Sequence, residues 1–200
     1  SRLPGKVLMN IKNKPLLKFM VDRVKMSRLV NKIVIATTVD SEDNPIVDFC
    51  ETNNILYYRG SVDDVLDRYF KVAKKYSAKT IVRLTGDCPL CDPNLIDQTI
   101  NLFNDMKVDY ASNTVPPEIK KYPDGTDVEV FNFKSLKKAW TETKDIKDRE
   151  HVTFYFWKRN KEFTLALLDN KNNWGKYRIT VDYKKDLDVV REIVNELEKK

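Results

Sequence analysis

Ile81-Val82-Arg83-Leu84-Thr85-Gly86-Asp87-Cys88-Pro89-Leu90 is the stretch on which the fold turns. A β-branched, apolar strand is expected over Thr80 to Leu84. It runs into Gly-Asp, which sets Asp87 at the strand's carboxyl end. Asp92-Pro93 then opens a helix carrying Leu95, Ile96, Ile100 and Phe103.

The same alternation extends in both directions. Upstream, Lys14 to Val24 has helical apolar spacing with Pro15 near its first turn, and Lys32 to Thr38 reads as a buried strand. A short helix from Asn44-Pro45, a strand Ile55 to Tyr58 ended by Arg59-Gly60, and a helix from Asp63 to about Tyr76 follow. Downstream, strands are expected at Val108 to Ala111, Asp127 to Phe131, Phe163 to Leu168 and Tyr177 to Val181. Helices are expected at Phe133 to Glu142, Asp148 to Arg159 and Lys184 onward. The stretch 113–126, with three prolines and one glycine, is a long loop. This pattern is that of an α/β fold, a three-layer sandwich around a mostly parallel, Rossmann-like sheet. Ligands of such sheets sit beyond the carboxyl ends of the strands.

Composition narrows the class. The chain has 200 residues, 42% hydrophobic and 33% charged, with a mean hydropathy of -0.52. That length suits one domain with a real core, and the apolar fraction excludes a disordered chain. No run approaches the ~18 apolar residues that span a bilayer, and no signal-peptide pattern is present, so no membrane partner is expected. Three cysteines, Cys50, Cys88 and Cys91, argue against a disulfide scaffold and for a reducing, cytoplasmic setting. The net charge of +6 is spread along the chain, without the clustered basic face that nucleic-acid binding needs.

Chemistry concentrates at few places. Asp87 and Asp182 each end an expected strand, and two carboxylates on one rim suit Mg²⁺, a hard cation that keeps several waters. The competing role is helix capping. Asp87 favours the ligand role because Asp92 is better placed to cap, whereas for Asp182 both roles stand open. Ser1 to Lys6 sets Arg2 and Lys6 around a Pro-Gly turn, either a phosphate-gripping loop or an exposed basic terminus. Among only five glycines, Gly5, Gly60, Gly86 and Gly125 lie in loops or after strands, where turn geometry and ligand approach are equal explanations. The Cys88/Cys91 CxxC lacks further metal ligands and reads as packing. His151, the single histidine, follows Arg149 at an expected helix start, where a structural contact is the plainer role and a substrate-facing pair the other.

Six ordered segments carry a resemblance: RLPGK (2–6), GS-DDVLDRY (60–69), RLTGDCPL (83–90), YPDGTDVEVF (122–131), REHVT (149–153) and TVDYKKDLDVVREI (180–193). Together they resemble the spore-coat polysaccharide biosynthesis protein F family, within the cytidylyltransferase superfamily of CMP-neuraminate and CMP-KDO synthetases. The resemblance covers essentially the whole chain as one nucleotidyltransferase domain, residues 1–200. It departs at the start, because in that family RLPGK follows a first, central strand. The expectation is therefore a chain lacking that strand, unstable and nearly inactive as it stands. Cys91 also departs from the family's usual apolar residue.

The resemblance implies a Mg²⁺-dependent CTP:sugar cytidylyltransferase of polysaccharide biosynthesis. Lys6, Asp87 and Asp182 are its implied catalytic residues, the two acids holding the metal. Arg2, Gly5, Lys6, Gly60, Ser61 and Gly86 would line the nucleotide. Tyr122, Asp124, Asp127, Glu129, Arg149 and His151 would face the acceptor sugar, and a homodimer is expected by analogy. Two alternatives compete: a glycosyltransferase using a nucleotide-sugar donor, and a non-catalytic nucleotide- or polyanion-binding module.

Overall fold

The computed structural model describes residues 3–119 and 121–199. After a single 3-10 turn (Lys6–Leu8), the elements run β1 (Asn10–Ile11), β2 (Lys14–Pro15), α1 (Leu16–Val24), β3 (Val34–Thr38), α2 (Asn44–Thr52) and β4 (Leu56–Gly60). Then come α3 (Val65–Lys75), β5 (Thr80–Arg83), α4 (Pro93–Met106), β6 (Tyr110–Ser112), β7 (Glu129–Asn132) and α5 (Phe133–Glu142). The chain ends with α6 (Ile146–His151), α7 (Phe154–Trp157), β8 (Leu165–Leu167) and α8 (Lys184–Glu198). Among the described residues no helix is long and apolar enough to cross a membrane.

Strand periodicity builds the layers. Val82, Ala111, Val130 and Ala166 face one way and pack on α1 and α4 through Met20, Val24, Leu95, Ile96 and Phe103. Their neighbours Ile81, Tyr110 and Phe131 face the other way, onto Leu66 and Phe70 of α3, Leu136 of α5 and Phe156 of α7. Each such large buried side chain contributes about 1.5–3 kcal/mol by leaving water. The α/β sandwich expected from the sequence is therefore present, and its sheet is mixed. The strand order is β5-β7-β6-β8, with β7 antiparallel to both neighbours and β6 parallel to β8, while β3 and β4 form a separate parallel pair.

Between β3 and β5 lies a cavity of about 650 Å³, lined by Val34, Ile35 and Ala36 from one strand and Ile81 and Val82 from the other. Helices α1 and α3 close it through Val24 and Val72. Within the described pairings, β3 is bonded only to β4 and β5 only to β7, so two strand edges border one apolar slot.

Two expectations need correction. Tyr177 to Val181 is not a strand in a sheet. It is an extended strap with one bridge, Arg178 to Asp124, because its backbone bonds go to a loop and a turn. The helix expected at Asp148 to Arg159 is two short ones. Asp145 caps α6 by accepting from the amides of Lys147 and Asp148, and Val152 breaks the run at φ 58 as its side chain enters the aromatic cluster.

Candidate active site

Lys6 reaches the site from a tight turn. Gly5 sits at φ 68, a left-handed conformation that costs glycine little, and the 3-10 turn behind it points Lys6 inward. Val7 packs near Gly86, so this turn lies against the carboxyl end of β5. Asp87 follows Gly86 there. The strap delivers Asp182 to the same place, since the Val181 amide donates to the Asp87 carbonyl at 2.8 Å. Higher on the strap, the Asp124 amide donates to the Tyr177 carbonyl at 3.0 Å and the Ile179 amide to the Asp124 carbonyl at 2.8 Å.

The result is a three-residue cluster. Lys6 Nζ donates to Asp87 Oδ2 at 3.1 Å, to Asp182 Oδ1 at 3.1 Å and to the Val181 carbonyl at 2.7 Å. The lysine side chain is 15% exposed, and those of Asp87 and Asp182 are 26% and 22% exposed, so the cluster is partly open to solvent. Burial favours the neutral form of Asp87, yet bonds from Thr85 and the Lys6 ammonium outweigh it and hold the carboxyl below the usual range. Arg178 pairs with the second oxygen of Asp182 and reaches Asp124 and Asp186, each at 3.3 Å.

Neither acid is a helix cap. Asp92 caps α4 by accepting from the Asn94 amide at 2.8 Å. Asp186 accepts from the amides of Asp182 and Tyr183, both at 2.8 Å, and so secures the start of α8. That division of labour leaves the Asp182 carboxylate to the cations. Arg178 and Asp186 were missed in the sequence. Their signal was an Arg-x-x-x-Asp-x-x-x-Asp spacing that looks like ordinary helix-entry charge.

The other expected residues divide. Gly5, Lys6, Gly86, Asp87 and Asp182 meet at this rim, with Asp124 beside it through Arg178. Arg2 lies outside the described residues. Tyr122 donates to the Asp169 carbonyl at 3.1 Å and leans on the core. Asp127 binds the Thr114 hydroxyl and the Gly125 amide, and its burial raises its pKa. Gly60 closes β4 with Arg68 packed where a Cβ would stand, at 2.6 Å, and the Ser61 hydroxyl receives the Asp64 amide at the entry to α3. Both therefore have packing or turn explanations.

Two residues expected to face the acceptor are engaged with other partners in the structure. Glu129 is only 3% exposed, and pairs with Arg83 beside it in the ladder while accepting from the Tyr110 hydroxyl at 2.6 Å. Strand parity puts it on the α3 face, with Phe131. Arg149 spends its guanidinium on Asp64, at 2.7 and 2.6 Å, and on the carbonyls of Trp140 and Thr143. It ties α6 to α3. His151 stacks on Phe154 at 4.3 Å between ring centres. The three cysteines are free and buried, and burial pushes the Cys50 and Cys91 thiols up to about 11, which fits packing.

Among the described residues no group of three or more His, Cys, Asp or Glu side chains is placed to hold a metal ion. Asp87 and Asp182 nonetheless converge on one point at which a positive charge already rests. Two carboxylates with an open side are a donor set that a small, hydrated divalent cation accepts.

Comparison with known proteins points one way. A family model described as cytidylyltransferase matches residues 1–199. The spore coat polysaccharide biosynthesis protein SpsF of Bacillus subtilis is 32% identical over 199 residues, covering 96% of this chain and 80% of that protein. A cytidylyltransferase structure from Leptospira borgpetersenii superposes with a TM-score of 0.91 at 29% identity, covering 98% of this chain and 82% of the other. CMP:2-keto-3-deoxy-manno-octonic acid synthetase complexed with CTP superposes at a TM-score of 0.71 and 16% identity, over 98% and 94% of the two chains, a likeness of fold.

Proposed function

The chain belongs to the cytidylyltransferase family, and from that premise we propose that it joins CMP from CTP to an acidic sugar, releasing pyrophosphate, in the biosynthesis of a surface polysaccharide or glycoconjugate. The observation that carries the reading is the meeting of Lys6, Asp87 and Asp182 at one strand-end rim.

In this reading the triphosphate lies against the Gly5-Lys6 turn. Lys6 meets it as a compact point charge, and the turn's small Gly5 leaves room, with nothing among the described residues within 4 Å of where a Cβ would stand. Asp87 and Asp182 would hold Mg²⁺. When bound, that ion would neutralise phosphate charge and polarise the reacting phosphoryl group. Tyr122 and Asp124 remain as the residues that orient the sugar, next to Arg178. A sugar hydroxyl oxygen attacks the α-phosphorus, the bond from that phosphorus to the bridging oxygen breaks, and pyrophosphate departs. The hydroxyl proton passes to solvent. No protein nucleophile takes part, so the chain's own work is alignment and charge compensation.

The test is direct. Protein incubated with CTP, Mg²⁺ and a panel of acidic sugars should release pyrophosphate with at least one of them. Asp87→Asn should lower that rate by at least about a hundredfold, the scale of losing one charge-stabilising group. Sugar transfer from a nucleotide-sugar with no pyrophosphate release would replace this reading with a glycosyltransferase.

A further inference from the structure

Lys6 presents an unusual arrangement for a phosphate-binding lysine. All three of its N–H donors are in use: one on each carboxylate and one on the Val181 carbonyl. The carbonyl bond is the shortest of the three, at 2.7 Å, so the ammonium is seated and not merely attracted. It stands where the two acids converge. Arg178, by contrast, takes the other oxygen of Asp182 and spreads to Asp124 and Asp186, away from Asp87.

We propose that the Lys6 ammonium is the resident cation of the Asp87–Asp182 pair, and that it excludes a divalent ion from these acids until a nucleotide's phosphates draw it away. The proposal rests on the cytidylyltransferase reading for the nucleotide, while the exclusion itself rests on geometry alone. A divalent ion bound to a carboxylate oxygen sits at ~2.0–2.1 Å for Mg²⁺. An ammonium still bonded to the same oxygens would face it across a few ångströms with like charge. The two are therefore alternative occupants. Phosphate oxygens offer Lys6 replacement acceptors, and among the described residues nothing stands within 4 Å of a Cβ position at Gly5 to bar their approach. Nucleotide and metal then bind as a coupled pair, each tightening the other.

Mn²⁺ alone, followed by electron paramagnetic resonance, tests the exclusion without turnover. Lys6→Met and Lys6→Gln should each bind Mn²⁺ about tenfold more tightly than the parent protein, within the usual range of coupling factors. Adding Asp87→Asn to Lys6→Met should abolish that gain. Arg178→Met removes a nearby positive charge without emptying the seat, and should give a much smaller gain. Lys6 variants no better than the parent, or an Arg178→Met gain equal to theirs, would overturn the proposal. In EDTA, CTP should shift the ¹⁵N signal of the Lys6 ammonium, assigned by its loss in Lys6→Met. CTP that raises the melting temperature but leaves that signal in place also overturns it. A protein that ignores CTP altogether defeats the cytidylyltransferase reading instead, and the Mn²⁺ comparison still decides who occupies the acids.

Discussion

Glu129 looks like a substrate residue in the sequence and behaves as a core residue in the fold. Its carboxylate compensates the nearly buried Arg83 and receives the Tyr110 hydroxyl. Removing one member of such a pair leaves the other charge stranded. Glu129→Ala should therefore destabilise the protein by about 3–5 kcal/mol, read as a lower urea midpoint. Asp109 illustrates the opposite balance. Burial disfavours its charge, but the amide and hydroxyl of Thr164, with Asn132 and Ser135, outweigh that and hold its carboxyl below the usual carboxylate range. Asp43 and Asp97 are lowered in the same sense. A carboxyl depressed by folding contributes stability that is complete above its unfolded pKa, about 3.9, and is lost as pH falls through the folded value. Urea midpoints should thus hold from neutrality to about pH 5 and drop below pH 4. Asp109→Asn should flatten part of that drop, and an unchanged acid limb in this variant would contradict the assignment.

At the scale of elements, the strap from Tyr177 to Asp182 does the work of a strand without belonging to a sheet. It is held by two backbone bonds to Asp124 and one to Asp87, and it sets Arg178 and Asp182 at the rim. Gly125 makes this close approach possible. It sits at φ 101, and a Cβ there would stand 2.7 Å from the Thr180 nitrogen and 2.8 Å from the Ile179 carbonyl carbon. Gly125→Ala combines backbone strain with a backbone collision, so a loss on the order of 3 kcal/mol is expected. The strap would move with it, and CTP should raise the melting temperature of this variant less than that of the parent. A variant as stable as the parent and equally responsive to CTP would show that the strap is held elsewhere.

For the whole molecule, the slot between β3 and β5 bears most directly on stability. Two strand edges flank an apolar cavity of about 650 Å³, and unpaired strand edges cost a protein backbone bonds and invite pairing. An extended apolar segment fits such a slot, bonded on both sides and buried on both faces. An extended apolar peptide added in trans and paired with both edges should raise the melting temperature by several degrees, as about 1–2 kcal/mol would produce in a domain of this size. It should also slow amide exchange at Val34–Thr38 and Thr80–Arg83. Equal melting and unchanged exchange would mean that the slot takes no strand.

What was legible in the sequence was local. The β-branched apolar run along Thr80–Arg83, the period of 3.6 along Pro93–Met106, the cap at Asp92 and the acid after Gly86 each depend on neighbours a few residues away. From these alone came the alternation of strands and helices and the placing of Asp87 at a strand end. The tertiary structure decided the pairing of charges and the order of strands. Lys6 meets Asp87 across 81 residues and Asp182 across 176, while Arg149 and Glu129 turned out to be claimed by Asp64 and Arg83. Side-chain periodicity tells which face a residue takes but not what waits on that face, because its ionic partner is brought there by packing from distant parts of the chain.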